Sequence, residues 1–333
     1  MWKLNLLTPE QEKIYRSLLS KKVFERARTC GDAVIEHELT ADVINELLTG
    51  KPAALETKNA NLMKKFIKGY TFGDMQAYDA VNRSRKADKC KDPIYKLYHP
   101  VVEKLKKIFD YKYLITQTSV AGDLARLNGR NTCTYCNRQY TLIIDLSEKQ
   151  NPVRPEFDHW LPKSLFPLLA LSYYNLIPSC HICNSNVKGE EVLNLAEFYH
   201  PYAESYAPRF FFRAMLLKGD TWTPYICFPP LMADVSRKKE EKTIKAFHLD
   251  EIYKEHASLE VADIMNFVTK NNPHYLQTLF RSVLKDMCGE KSLNEVYRMM
   301  FGVELEEEKY LDRPFGKLKH DLLEQCGVIY SKL

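Results

Sequence analysis

Two pairs of cysteines carry the clearest chemical signal in this chain. Cys133 and Cys136 form one C-x-x-C pair, and Cys180 and Cys183 form a second. In each pair a tight turn lets two thiolates reach one metal ion, and two such turns complete a tetrahedral Cys₄ zinc site. Because all four ligands are thiolates, such a zinc has no open position, and we expect a structural ion. The alternatives are a redox-active C-x-x-C or a chance spacing.

The segment between the two pairs contains residues suited to acid–base and metal chemistry. It is 43 residues long, against about 15–20 in a compact zinc ribbon. Within it stand the adjacent residues Asp158 and His159. A histidine titrates near neutrality and serves as a general base, whereas a carboxylate is a hard oxygen ligand for Mg²⁺. Neighbours in a strand point to opposite faces, so both reach one site only if the strand ends or bulges there.

The residues around this Asp-His pair resemble the HNH endonuclease family, the ββα-metal nucleases. The shared pattern is D-H-x-x-P-K-S, then N-L-I-P-S-C-x-x-C-N and a closing lysine, over about 60 residues within 133–189. The resemblance implies a two-stranded hairpin followed by a helix that together hold one divalent ion. It also implies phosphodiester hydrolysis, which needs an activated water and positive charge where negative charge develops.

The resemblance gives roles to the histidine and to an asparagine behind it. His159 takes the place of the general base, and Asn175 that of the residue that holds the loop orienting it. Glu156 is a further candidate for the outer shell of the metal. An isolated Asp-His at this place would instead indicate a strand-to-loop turn with a capped histidine.

The metal ligands implied by the resemblance are Asp158 and Asn184. Asn184 directly follows Cys183, where the family has its last histidine or asparagine. An amide oxygen suits Mg²⁺ or Mn²⁺ better than an imidazole does, so the chain is an H-N-N variant. The spacing from Asn184 to Lys188 is four residues where many family members have three. Asn186 is therefore an alternative ligand.

Basic residues near the motif are candidates for contacts with nucleic acid. Lys163 and Lys188 are expected to contact phosphate, with ordinary surface lysines as the alternative. A basic segment with interleaved tyrosines and phenylalanines also covers residues 58–112. Such a face binds phosphates without reading sequence, although a solvated helix face has the same composition. No helix-turn-helix or C₂H₂ finger is visible, so any preference for particular bases must come from elsewhere.

Composition narrows the class of protein without identifying it. The chain has 333 residues, 45% hydrophobic residues and a net charge of +5, which suits a globular protein and is too mild to establish a nucleic-acid binder. Its start lacks the apolar core of a signal peptide, and no run is long enough to span a membrane, so a cytoplasmic protein is expected. The remaining cysteines are expected to be buried small hydrophobes. They are Cys30, Cys90, Cys227, Cys288 and Cys326.

Three regions separate along the chain, and together they predict an α+β fold that is mostly α. The pattern of residues 1–128 predicts helices, and this region is partly basic. Residues 129–230 contain strand patterns and the two C-x-x-C turns, which we call the zinc knuckles. The pattern of residues 231–333 predicts helices again. The local predictions are a helix at 41–48 capped by Thr40, a helix near 61–69, helices starting near Pro93 and Pro100, strands at 140–145 and 209–217, and a helix after Ser236.

The helical flanks point to a larger assembly, since a minimal HNH fold needs no arms of this length. The layout resembles HNH subunits of anti-phage defence systems such as the Septu type, whose partner is an ATPase. The chain has no P-loop of its own. DNA is the expected substrate. The competing functions are a zinc-stabilised module that binds nucleic acid without cutting it, and a subunit that mainly docks a partner.

Overall fold

The computed structural model describes residues 2–85, 88–144, 153–189, 191–203, 209–217, 221–279, 282 and 293–329. Over these residues the chain is mainly helical, with two small antiparallel sheets near its centre. The expected α+β fold with mostly helical content is confirmed at this level. No helix among these residues is both long and apolar enough to cross a bilayer.

Helices make up the part of the chain before the first sheet. They are α1 (Pro9–Arg28), α2 (Ala33–Glu38), α3 (Ala41–Thr49), α4 (Pro52–Phe66), α5 (Phe72–Arg83), α6 (Pro93–Ile108) and α7 (Val120–Asn128). Five of them, all but α4 and α7, start where a side chain accepts from free backbone N–H groups. Thr8 forms a capping box with Gln11, and Thr40 accepts from the N–H of Val43. The helix predicted at 41–48 with Thr40 as its cap is confirmed by α3.

The prediction of a separate helix starting near Pro100 is wrong. Pro100 lies inside α6, which starts at Pro93 after the capping side chain of Asp92. A proline in a helix interior removes one hydrogen bond and costs about 3 kcal/mol. The apolar face of α6 offsets this cost, because Leu105 and Ile108 are at most 1% exposed and each such burial contributes about 1.5–3 kcal/mol.

Two antiparallel sheets of two strands each lie in the central region. Their strands are β1 (Glu156–His159) with β2 (Leu176–Ser179), and β3 (Phe211–Leu217) with β4 (Thr221–Cys227). In the first sheet Asp158 lies opposite Ile177, and His159 lies opposite Leu176. The strand β1 ends at His159, as the sequence required for Asp158 and His159 to reach one site. A helical segment, Ile182–Lys188, follows β2.

The remaining local predictions have mixed outcomes. β3 confirms the strand at 209–217, and the helix near 61–69 is the second half of α4. The strand predicted at 140–145 is wrong over 140–144, and residue 145 lies outside the described residues. This stretch forms only isolated bridges, of Thr132 with Tyr140 and of Ile144 with Val153. Its alternating pattern has no sheet to pack on, and Ile144 is 51% exposed.

Helices return after the second sheet and pack against it. They are α8 (Asp234–Ala246), α9 (Leu249–Lys254), α10 (Ala262–Lys270), α11 (Pro273–Thr278), α12 (Leu293–Phe301) and α13 (Gly316–Gln325). The helix predicted after Ser236 is confirmed by α8. The side chain of Gln325 pairs with β3 as a strand would, accepting from the N–H of Ala214 and donating to its C=O at 2.8 Å each.

One continuous hydrophobic core joins the three predicted regions. It contains buried residues from Trp2 to Ile329. Near its centre the hydroxyl of Tyr15 in α1 donates to the carbonyl of Leu171 at 2.8 Å. The N–H of Trp2 donates to the carbonyl of Thr134, between the first two zinc-knuckle cysteines, at 3.1 Å. The N-terminal helices therefore pack directly on the central region that carries the motif residues.

Candidate active site

The four motif cysteines form one buried cluster. The sulfurs of Cys133, Cys136, Cys180 and Cys183 all lie within 4.8 Å of one another. A tetrahedral zinc with Zn–S bonds of about 2.3 Å requires sulfurs about 3.8 Å apart, so this cluster fits the ion. Burial raises the pKa of the Cys133 thiol, which means that four thiolates need a cation here to be stable. The cluster supports the expected structural metal site.

The first zinc knuckle is held in place by the C-terminal part of the chain. Asn137, directly after Cys136, has a φ of +50°, which fits the left-handed turn that asparagine tolerates. Its side-chain amide donates to the carbonyls of Arg313 at 3.0 Å and Tyr310 at 3.2 Å. The backbone carbonyl of Asn137 accepts from the N–H of Phe315 at 2.6 Å. The knuckle and the residues around 310–315 are thus joined by a set of buried hydrogen bonds that we name the knuckle clamp.

Asp158 is a buried carboxylate at the end of β1 with two protein donors. The hydroxyl of Tyr135 donates to its Oδ2 at 2.6 Å, and the ammonium group of Lys188 lies 3.3 Å from its Oδ1. Burial raises the pKa of Asp158, and Lys188 and Tyr135 both act against this rise. Tyr135 lies between Cys133 and Cys136. The zinc knuckle therefore reaches the carboxylate through a single side chain.

His159 is buried and has a defined tautomer. Its Nε2 lies 2.9 Å from the carbonyl oxygen of Ala170, and because a carbonyl only accepts, Nε2 carries the proton and Nδ1 is the basic nitrogen. Nδ1 has no hydrogen-bond partner among the described residues. Burial, with the nearby charges of Lys163 and Lys188, lowers the pKa of His159 to about 3. The ring is therefore neutral at physiological pH, with its Nδ1 lone pair available to accept a proton.

Asn175 holds the loop that follows His159. Its Oδ1 accepts from the N–H of Leu161 at 2.7 Å. Its Nδ2 donates to the carbonyls of Leu161 at 3.0 Å and Leu169 at 3.1 Å. Leu169 directly precedes Ala170, the residue whose carbonyl orients the histidine ring. One asparagine side chain, 2% exposed, thus fixes both the backbone leaving His159 and the backbone that positions its ring.

Asn184 and Glu156 form the polar end of the same site. The Nδ2 of Asn184 donates to one oxygen of Glu156 at 2.8 Å, which leaves the amide oxygen of Asn184 available. The other oxygen of Glu156 lies 2.8 Å from Nδ1 of His181. Asn184 and Glu156 line the same cavity as Asp158, whereas Asn186 is exposed and does not line it. Of the two asparagines, Asn184 is therefore the one that lies at the cavity.

These side chains face a cavity of about 720 Å³, which we name the cleft. Its far walls are α5 and the region around Tyr111, whose ring meets the ring of His159 edge-on at 4.6 Å. Arg83 of α5 reaches across to Ser164, on the loop after the histidine, at 2.9 Å. The site is therefore a walled depression between the N-terminal helices and the central region.

The cations of the cleft differ in how they are partnered. Arg83 pairs with Asp79 at 2.8 Å. Lys163 and Arg154 also line the cleft, and neither has a carboxylate within 4 Å among the described residues. The ammonium nitrogen of Lys163 lies over the ring of Tyr111, 5.1 Å from its centroid, as in a cation–π contact. Partial desolvation lowers the pKa of Lys163. Two cations without acidic partners make this cleft suited to an anion.

Lys188 lines the cleft but is nearly buried, and its contact with phosphate stays a prediction. It is 4% exposed, and its ammonium group lies 3.0 Å from the carbonyl of His159 as well as near Asp158. A buried lysine with these partners organises the site from within the protein. The contact of Lys163 with phosphate stays a prediction, and its position at the cleft is compatible with it.

Part of the basic segment at 58–112 is paired with acidic residues in the structure. Lys65 pairs with Glu38 at 2.7 Å, and Lys104 pairs with Asp32 at 3.0 Å. Lys106 pairs with Glu103 at 2.8 Å, and Lys58 pairs with Glu46. The first, second and last of these pairs link different parts of the helical region, whereas Lys106 and Glu103 both belong to α6. They account for part of the charge run without a ligand. The unpartnered cations at the cleft are a more specific candidate for binding phosphate than the whole segment.

Several residues depart from the sequence-based interpretation or were missed by it. The expectation that the remaining cysteines are buried is wrong for those described, because Cys90 is exposed and Cys30, Cys227 and Cys326 are only half-buried. Cys288 lies outside the described residues. The contact of Tyr135 with Asp158 was not anticipated, although its place inside a C-x-x-C pair was a usable signal. His200 packs edge-on against Trp160, with ring centroids 4.5 Å apart, and accepts from the N–H of Tyr202.

Comparisons of the chain with models of protein families, with curated proteins and with solved structures gave no match.

Proposed function

We propose that this protein is a metal-dependent endonuclease of the HNH type that hydrolyses phosphodiester bonds in nucleic acid, with DNA as its main substrate. The single observation that carries the proposal is the state of His159. Its Nε2 is committed to the carbonyl of Ala170, and its Nδ1 is a free base beside the cleft. The match of the surrounding D-H-x-x-P-K-S and N-L-I-P-S-C-x-x-C-N segments to the HNH pattern supports the same reading.

The histidine is the general base of the proposed reaction. A water molecule in the cleft gives a proton to Nδ1 of His159 as its oxygen attacks the phosphorus. The ring is neutral beforehand because burial disfavours the imidazolium. Asn175 and the Ala170 carbonyl keep the ring at one orientation, which a proton transfer requires.

Asp158 and Asn184 are the residues that would hold the catalytic divalent ion, Mg²⁺ or Mn²⁺. The donor set is carboxylate and amide oxygen, which suits hard cations. The two oxygens of Asp158 accept side-chain hydrogen bonds from Tyr135 and Lys188, one each. Glu156 adds a carboxylate beside Asn184. When bound, the ion supplies positive charge to the scissile phosphate and to its leaving oxygen.

The other parts of the site support this chemistry. Lys163 and Arg154 bind phosphate oxygens, because they are cations at the cleft without acidic partners. The Cys₄ zinc is structural and fixes the knuckle that presents Tyr135. We also propose that the protein acts in the cytoplasm as the effector subunit of a defence complex with an ATPase partner, on the strength of its layout.

A cleavage assay tests the proposed function. Plasmid and oligonucleotide DNA are incubated with the protein and Mg²⁺ or Mn²⁺, with and without the product of the neighbouring gene. We expect metal-dependent nicking that is abolished in His159→Ala and retained in the control His37→Ala, whose ring lies on the surface. Both variants should keep the zinc content and the melting temperature of the wild type.

Two results would decide against this function. Equal cleavage by wild type and His159→Ala would remove the general base from the argument. Salt-sensitive DNA binding without cleavage under either metal would instead support a zinc-stabilised binding module. Lys163 and Arg154, which have no acidic partner among the described residues, favour this binding module as the second candidate function, since they bind phosphate with or without catalysis.

A further inference from the structure

A groove continues from the cleft along one face of α5. The cleft and an adjoining depression of about 290 Å³ share Asp79 and Arg83. That depression in turn shares Gln76 with a pocket of about 530 Å³ at the start of the helix. Phe72, Gln76, Asp79 and Arg83 are spaced three and four residues apart, so they lie on one face of α5. The groove thus follows the helix from Arg83 back to Phe72, about 16 Å at 1.5 Å per residue.

The pocket at the far end of the groove is aromatic and carries amide groups. Its walls include Phe72, which is 38% exposed, and Phe166, with ring centroids 5.4 Å apart. The side chains of Asn59, Gln76 and Asn194 also line it. The buried Oδ1 of Asn59 has no hydrogen-bond partner among the described residues. We name this feature the aromatic pocket.

The chemistry of the aromatic pocket suits a nucleobase. A base offers a flat π face to the phenylalanine rings and amino or imino donors to amide oxygens. The charged residues lining the pocket, Glu56 and Lys64, have opposite signs, so the pocket does not select an anion. The cations Lys163 and Arg154 lie at the other end of the groove, and neither has an acidic partner within the described part of the chain.

We propose that the groove along α5 binds a single strand of nucleic acid, with an unpaired base in the aromatic pocket and a backbone phosphate at Lys163 and Arg154. This proposal rests on the proposed nuclease function and specifies its substrate class. A base in a duplex has its polar edge paired and its faces stacked, so it cannot enter the pocket without being extruded. The groove of about 16 Å spans at most about five nucleotides at the stacked spacing of 3.4 Å.

Binding measured without cleavage tests this inference. The His159→Ala protein, loaded with zinc and kept in buffer without Mg²⁺ or Mn²⁺, is titrated against a fluorescent 12-nucleotide DNA strand and against the same strand in a duplex. We expect the single strand to bind at least ten-fold more tightly. Adding Phe72→Ala should weaken single-strand binding about ten-fold, which is the loss of one base–aromatic stacking contact, and should leave duplex binding unchanged. The control Tyr275→Ala removes an aromatic ring that is similarly exposed and lies outside the groove.

A scan of abasic sites locates the bound base. One abasic position should weaken binding to the Phe72-containing protein about ten-fold and have no further effect in Phe72→Ala, because both changes remove the same contact. Equal affinity for strand and duplex, or an effect of Phe72→Ala that persists with every abasic strand, would overturn the inference. Cleavage without a preference for single strands would support the nuclease function and overturn the single-strand proposal. Absence of binding to either form of DNA would overturn both proposals.

Discussion

Replacing Tyr135 by phenylalanine removes the hydroxyl that donates to Asp158 and keeps the aromatic ring that packs in the zinc knuckle. The hydroxyl donates to Asp158 at 2.6 Å, and both residues are buried. A hydrogen bond to a charged group contributes about 1.5–3 kcal/mol to stability, and a buried acceptor that loses a donor is penalised. We therefore expect Tyr135→Phe to lower the free energy of unfolding by about 2 kcal/mol.

A double-mutant cycle assigns this loss to the contact. Urea unfolding is measured for the wild type, Tyr135→Phe, Asp158→Ala and the double variant in zinc-containing buffer. We expect a coupling free energy of about 1–2 kcal/mol between Tyr135 and Asp158. The matched control is Tyr253→Phe, because this buried tyrosine also contacts the knuckle, donating to the carbonyl of Cys136 at 2.7 Å, without touching Asp158. It should lose about 1 kcal/mol and show no coupling with Asp158.

The same variant has a consequence for metal binding at the proposed catalytic site. Groups that orient a metal ligand typically contribute 10- to 100-fold to metal affinity or activity. Tyr135→Phe should therefore weaken Mn²⁺ binding, measured by calorimetry on zinc-loaded protein, by about 10- to 100-fold, and Tyr253→Phe should not. A coupling below about 0.5 kcal/mol together with unchanged Mn²⁺ affinity would refute the reasoning that the knuckle positions the carboxylate.

Three further predictions follow from single residues. Cys180→Ser should release the bound zinc, as measured by elemental analysis, and lower the melting temperature, because one of four clustered ligands is lost. Burial lowers the pKa of His200 to about 3, so its contribution to stability is complete above pH 6.5 and falls as the pH drops toward 3. Between pH 7.5 and 5 this amounts to about 2 kcal/mol, and His200→Gln should flatten the dependence of urea unfolding on pH by that amount. An identical pH profile in the variant would contradict the assignment. Lys163→Gln should reduce the slope of log affinity for DNA against log salt by about 0.9, while Lys238→Gln on the exposed face of α8 should not.

Local signals in the sequence were sufficient where the physics is local. A threonine before an amphipathic run predicted the start of α3, since an N-cap is satisfied within four residues. The two C-x-x-C pairs predicted a cluster because their spacing sets the direction of each thiolate. The Asp-His pair and Asn175 were identified through the pattern of the whole segment, and the structure brings their side chains to one cleft or directly behind it.

The remaining features depend on contacts between distant parts of the chain. Nothing near Pro100 indicates that the buried face of α6 offsets an interior proline. The alternation at 140–144 is a strand pattern, but within the part of the chain that the structure describes it pairs only through isolated bridges. The ion pair of Lys188 with Asp158 joins residues 30 positions apart. Lys65 and Lys104 of the basic segment at 58–112 pair with acids from elsewhere in the chain.

The knuckle clamp has a consequence for the order in which the protein is made. Asn137 lies before the motif segment, but its partners Tyr310, Arg313 and Phe315 leave the ribosome about 130 residues after Cys183. At translation rates of about 5–20 residues per second, this is a delay on the order of ten seconds. During that interval the knuckle lacks the hydrogen bonds that hold it in place. The same bonds also position Tyr135, the residue of the knuckle that donates to Asp158. A growing chain therefore carries every residue of the candidate site well before it can assemble the site in its final form.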